Sequence, residues 1–182
     1  MKNWSFIVLL LIGVLGYAQE EKALEVGGGY ESNGYLLRAG FMSYINTNSF
    51  IRFGVQANFE QFDEGLPQKI DVEIYLAQLE YYHALWQSYN KNVGLYLGGG
   101  VFGGFEALND EEQQLANGSL LGDESQFVYG VHVGAETALH ILELNRRGSA
   151  LLLVANAREN YFVNSDLGSF QLNLSAGIRI LF

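Results

Sequence analysis

The chain has 182 residues, 22 of them glycine, with one proline, no cysteine and a formal net charge of −10. One domain is the expectation at this length. With 10 basic residues against 20 acidic ones, no surface could neutralise a run of phosphates, so direct nucleic-acid binding is excluded. The missing cysteines exclude disulfides, thiolate metal centres, cysteine nucleophiles and lipidation at a lipobox cysteine.

Residues 1–18 read as a signal peptide. Lys2 supplies a positive n-region, Phe6 to Gly16 a short apolar core, and Gly16-Tyr17-Ala18 the small residues that a signal peptidase reads. The apolar run falls short of the roughly 20 residues that a helical span needs. Cleavage is expected after Ala18, leaving residues 19–182 as one exported domain.

The mature part alternates. Leu24, Val26 and Tyr30 stand opposite Glu25, Gly27 and Gly29, and Glu31 to Gly34 then forms a tight turn. Tyr35 to Tyr44 returns with Arg38 and Gly40 on its polar side, and Asn46 to Asn48 turns the chain again. In the third segment Ile51, Phe53, Val55, Ala57 and Phe59 alternate without a break with Arg52, Gly54, Gln56, Asn58 and Glu60. On a helix those apolar residues would step round by about 200° each and scatter; on a strand they form one stripe.

A polar connection at 61–69 holds Pro67, where a sheet-rich chain should keep its proline. The fourth strand runs from Ile70 to Leu85, with Gln78, Glu80 and Tyr82 on one face. The fifth, Val93 to Glu106, is crowded with glycine, which inside a narrow barrel leaves room for bulky arginine and tyrosine on facing strands. No lysine or helix-forming stretch follows, so a phosphate-binding glycine loop is set aside. An acidic connection at 107–125 leads to the sixth strand, Gln126 to Leu142, which carries His132 and Glu136 on its polar side. The seventh, Ala150 to Phe162, carries Asn156, Arg158 and Asn160 there.

The last segment, Ser169 to Phe182, sets Leu172, Leu174, Ala176, Ile178, Ile180 and Phe182 against Asn173, Ser175, Gly177 and Arg179. At about 3.3 Å per residue and a tilt near 45°, it rises about 33 Å, enough for an apolar band of about 25 Å. Its aromatic end, Phe182, is the expected C-terminal membrane-insertion signal. The fold expected is all-β: an eight-stranded antiparallel up-and-down transmembrane β-barrel with a filled polar interior.

A soluble lipocalin-like barrel would turn the apolar face inward. Against it, the polar faces are rich in glycine, poor in lysine, and carry charges of both signs. Glu25, Arg38, Arg52, Glu80, Glu106, Glu136, Arg158 and Arg179 are the expected interior charge network, since the arginine fork matches a carboxylate. Eight strands leave an interior that side chains fill, so a wide porin channel is excluded. Aromatic girdles are expected at the strand ends, with Tyr44, Phe50 and Trp86 at one rim. Phe62, Phe105, Phe127, Tyr161 and Phe170 belong at the other.

Among the histidines only His132 shares an interior face with a carboxylate, Glu136, and no serine adjoins it. A His–Ser–Glu lipid-modifying enzyme is therefore the lesser reading, and a structural histidine the better one. No metal-ligand spacing appears, and no cofactor or catalytic residue is expected. The loop carboxylates, from Asp63 to Glu124, read as a solvated acidic rim.

Several stretches in order complete the picture: Leu66-Pro67-Gln68, Glu80-Tyr81-Tyr82, Gly103-Gly104-Phe105-Glu106, Asn109, Phe127-Val128-Tyr129-Gly130 and Gly177-Ile178-Arg179. Together, from Leu24 to Phe182, they resemble the TraO family of conjugative-transposon proteins from Bacteroides-type bacteria. Many members carry Gly-Tyr-Glu where this chain has Gly104-Phe105-Glu106. The resemblance implies an outer-membrane component of a conjugative DNA-transfer apparatus with no assigned enzymatic activity. Its partners would be outer-membrane lipid, the barrel-insertion machinery and other envelope proteins of conjugation. The alternative is a stand-alone small barrel of the OmpX type, serving adhesion or envelope stress.

Overall fold

A computed structural model describes residues 21–32, 34–62, 70–108, 125–144, 149–165 and 169–182. The expected signal peptide and its cleavage site, Pro67, and most of the two acidic connections lie outside the described residues.

The strands are β1 (Lys22–Glu31), β2 (Gly34–Asn46), β3 (Ser49–Phe62), β4 (Ile70–Gln87), β5 (Val93–Leu108), β6 (Ser125–Glu143), β7 (Ala150–Phe162) and β8 (Phe170–Leu181). Each pairs antiparallel with its neighbour in sequence, and β1 pairs with β8, so the sheet closes. The alternation read along the chain therefore holds for all eight strands, within two residues at each end. Closure removes the sheet edge, and with it any unpaired row of backbone donors and acceptors. Two backbone bonds seal the seam: Lys22 N donates to Phe182 O at 3.1 Å, and Phe182 N to Lys22 O at 2.9 Å. Register shifts at Tyr44/Asn46, Ala84/Trp86 and His140/Leu142 all fall at the end of the barrel that holds both termini.

The outward residues are apolar and exposed. Leu24, Val55, Leu79, Val101, Val133 and Leu174 are examples from six strands. The inward residues include every arginine and glutamate expected in the lumen, all of them buried. A soluble barrel would show the opposite arrangement. No helix among the described residues is long and apolar enough to cross a membrane; a closed barrel crosses with strands.

The lumen is filled, but it is layered rather than polar throughout. At the end holding the termini, Met42, Tyr44, Phe50, Tyr82, Tyr96 and their neighbours form an apolar plug. Toward the far end, Val72, Ile74, Leu76, Phe102, Val128 and Phe162 form a second apolar cluster along β4 to β7. The charges lie between and beside these two. This corrects the expected girdle, because Tyr44 and Phe50 are 8% and 0% exposed and belong to the plug. They are register partners at inward positions of β2 and β3, so strand parity turns them into the lumen. Trp86 at that rim, and Phe105, Phe127, Tyr161 and Phe170 at the other, do stand outside. The side chain of Phe62, also expected in that girdle, lies outside the described part.

The glycines make the space that the larger side chains occupy. A Cβ on Gly98 would come within 2.6 Å of the Tyr82 ring, and one on Gly134 within 2.8 Å of Arg158 Cγ. Tyr82 and Arg158 lie flat across strand positions that carry no side chain.

Candidate functional site

The centre of the lumen is an ionic lattice built by register. Arg52 on β3 is the direct partner of Glu80 on β4, and Glu25 on β1 of Arg179 on β8. Arg52 Nε donates to Glu80, while its Nη1 reaches Glu136 Oε2 at 2.7 Å and Glu25 Oε1 at 3.1 Å. Arg179 donates to Glu25 Oε2 through Nε at 2.9 Å and Nη2 at 2.6 Å, and also to Glu136. Arg38 Nη2 donates to Glu25 Oε1 at 2.6 Å, and Arg158 Nη1 lies 2.6 Å from Glu80 Oε1. Seven of the eight charges expected in the network thus meet in one connected set.

Glu106 does not join them. Its oxygens accept from Gln126 Nε2 at 3.2 Å and Ser165 Oγ at 2.6 Å, nearer the far end of the barrel. The reason is position along the strand. Glu106 is level with Ile74, whereas the arginine-bearing carboxylate of β4, Glu80, is level with Gly100. Six residues along a strand is about 20 Å, so Glu106 lies well away from the contacts that Arg52 and Arg158 make with Glu80. The lattice consequently sets four guanidiniums against the three carboxylates Glu25, Glu80 and Glu136.

Neutral groups complete the lattice, and sequence reasoning did not single them out as members. Asn156 Oδ1 accepts from Arg158 Nε at 2.7 Å, Gln78 Oε1 from Arg158 Nη1 at 3.0 Å, and Ser175 Oγ from Arg38 Nη1 at 3.3 Å. Their signal was parity, since each shares the inward face of its strand with an arginine or glutamate.

His132 pairs with Glu80, its Nε2 lying 3.0 Å from Oε1, and not with Glu136 as sequence adjacency suggested. Glu80, Gly100 and His132 are consecutive register partners across β4, β5 and β6. The glycine between them lets the two side chains meet. His132 and Glu136 stand two same-face steps apart on one strand, about 13 Å. A serine–histidine hydrogen bond does occur elsewhere, between Ser49 Oγ and His83 Nδ1 at 2.8 Å. Ser49 is only 2% exposed, beneath Tyr81, whose hydroxyl donates to it at 3.2 Å. A nucleophile so covered presents nothing to a substrate. Among the described residues no group of three or more His, Asp or Glu side chains is arranged to hold a metal. The terminal Phe182 has its ring outside and its backbone in the seam.

Apolar wall outside, ionic lattice inside and eight closed strands define an outer-membrane-type β-barrel. Solved structures agree on the fold. The N-terminal β-barrel domain of Pseudomonas aeruginosa OprF matches with a TM-score of 0.58 at 11% identity, over 90% of this chain and 98% of that one. Neisserial surface protein A matches with a TM-score of 0.58 at 17% identity, over 89% and 96%. A major outer membrane protein from Thermus thermophilus matches with a TM-score of 0.56 at 14% identity, over 89% and 99%. No curated protein sequence matches the chain. The family model described as conjugative transposon protein TraO matches residues 19–182. The chain belongs to the TraO family.

Proposed function

We propose that this barrel is a structural component of a conjugative DNA-transfer apparatus, anchored in the outer membrane with both termini on the periplasmic side. Membership of the TraO family over residues 19–182 is the observation that carries this reading. The filled lumen bears on how the barrel would serve. Arg52, Arg179, Phe50 and Tyr82 are buried inside the lumen through which a strand of DNA would have to pass. The part assigned to it is therefore an anchor and docking wall for other envelope proteins of the apparatus, not the conduit. No enzymatic role is assigned. The buried Ser49 and the buried His132, whose Nε2 faces Glu80, support that choice.

Deletion of the gene in a donor strain tests the reading. Mating frequency is expected to fall by orders of magnitude, with resistance to detergents and bile salts unchanged, and to return on complementation. Normal mating together with a leaky envelope would instead support a stand-alone barrel of the kind seen in small surface proteins.

A further inference from the structure

Beyond the lattice, toward the far end of the lumen, stands a second set of charges with no arginine bonded to it. Glu31, Glu60 and Glu106 are all buried, and none forms an ion pair with a described residue. Glu31 and Glu60 flank the same position of β2. Each is the register partner of Gly34, which carries no side chain between them. Glu31 interacts electrostatically with Glu60, and Glu60 with Glu106. Buried carboxylates with no cationic partner must be neutralised, by protons or by a cation.

Glu106 is served by Gln126 and Ser165. The other two are not. Glu31 Oε1 accepts from Asn160 Nδ2 at 3.1 Å, but Glu31 Oε2 and Glu60 Oε1 have no partner. On the wall next to Glu31, Asn160 Oδ1 and Gln171 Oε1 are also free, on side chains 0% and 2% exposed. Asn160 and Gln171 are register partners on β7 and β8, and Glu31 follows on β1, so the three line one stretch of wall. Asn173, the register partner of Glu31, also stands near its carboxylate, but its Nδ2 and that of Asn58 make no close hydrogen bond.

We infer that Glu31, Glu60, Asn160 and Gln171 form a binding site for one hard divalent cation, Ca²⁺ or Mg²⁺, in the outer half of the lumen. Two carboxylates balance a divalent charge, and amide and carboxylate oxygens are the donors that such ions take. Neither thiolate nor imidazole lies in the set, which disfavours zinc and copper. Water can complete the coordination, as it commonly does for these ions. The cation would sit above the arginine lattice and offset the negative end of the lumen.

The test uses the purified, refolded barrel in detergent after EDTA treatment. Titration with CaCl₂ or MgCl₂ alone, followed by calorimetry, is expected to show one saturable site per barrel. The temperature at which the heat-modifiable gel band is lost should rise with the bound ion. Glu60→Gln should abolish both responses. Gln171→Leu, a milder change, should weaken binding at least tenfold while the barrel still folds. Absence of saturable binding would overturn the site, as would equal binding by Glu60→Gln and Gln171→Leu, which would place the ion on the acidic connections. Stabilisation by lowered pH with no response to either cation would assign neutralisation to protons and also overturn it. All of this is read on isolated protein, so its failure leaves the conjugation proposal untouched.

Discussion

The guanidinium carbon of Arg52 lies 4.9 Å from the centre of the Tyr82 ring, and that of Arg179 lies 5.1 Å from the Phe50 ring. The two rings stack with centroids 5.3 Å apart. The ionic lattice thus rests on an aromatic floor that excludes water from one side and offers its negative π-face to the arginines. A cation over such a face gains about 0.5–2 kcal/mol, more as it is desolvated. Tyr82→Leu, which also removes the stack on Phe50 and the hydroxyl that accepts from Asn156 Nδ2 at 3.4 Å, should lower barrel stability by at least this amount. A urea titration of the refolded protein, followed by gel mobility, would show it; an unchanged midpoint would mean the floor is only filler.

Arg52 joins three carboxylates, so its loss removes one arginine contact from each of Glu25, Glu80 and Glu136 at once. Arg52→Ala is expected to cost about 3–5 kcal/mol, the range for uncoupling a buried pair. Arg52→Lys should recover little of it, because an ammonium cannot reproduce the forked contact to Glu80 and Glu136. Full recovery by lysine in the same urea titration would show that charge alone suffices.

Neighbouring glycines of β5 should behave differently. A Cβ on Gly104 would fall 1.8 Å from the backbone oxygen of Tyr75, while one on outward-facing Gly103 would meet the Phe127 ring edge at 3.2 Å and backbone no nearer than Val128 O at 3.8 Å. A ring can move and a paired strand cannot. Gly104→Ala is therefore expected to prevent or strongly slow closure, and Gly103→Ala to fold with less than about 1 kcal/mol of change. Comparing the folded, fast-migrating fraction of the two variants decides it.

The outward face can be tested by depth. Val101 stands in the middle of β5 and faces out. Val101→Arg should destabilise the barrel in liposomes by about 2–4 kcal/mol. Phe170→Arg, at the rim, should cost about 0–1 kcal/mol. Equal effects would argue that the two sites do not differ in lipid depth.

Phe182 closes the seam through its backbone and leaves its ring outside. Phe182→Ala keeps those backbone bonds. The expected result is a several-fold drop in folded protein recovered from outer-membrane fractions, with an unchanged unfolding midpoint for the purified barrel. A lower midpoint with normal recovery would make the ring a stability element and remove its role in insertion.

Local pattern carried a great deal here. Side chains on a strand alternate with a period of two, so the run from Ile51 to Glu60 already declares an apolar face and a polar one. The same parity put Arg52, Glu80, Glu136, Arg158 and Arg179 on one surface, and their mixed signs said that this surface looks inward. Even Phe50 was legible by parity, as it shares its face with Arg52; reading it as a rim aromatic from its place near a turn was the error.

Partnership across the lumen lay beyond that reach. Which groups meet depends on how far each strand is offset from the next, and offsets accumulate around a closed, sheared wall. That is why His132 meets Glu80 across Gly100 rather than its sequence neighbour Glu136. It is also why Glu106 sits with Gln126 and Ser165 instead of an arginine, leaving four cations on three anions below and a purely acidic set above. Alternation, a one-strand property, determined the strands and their faces; pairing across the barrel, a property of all eight offsets together, was decided only when the wall closed.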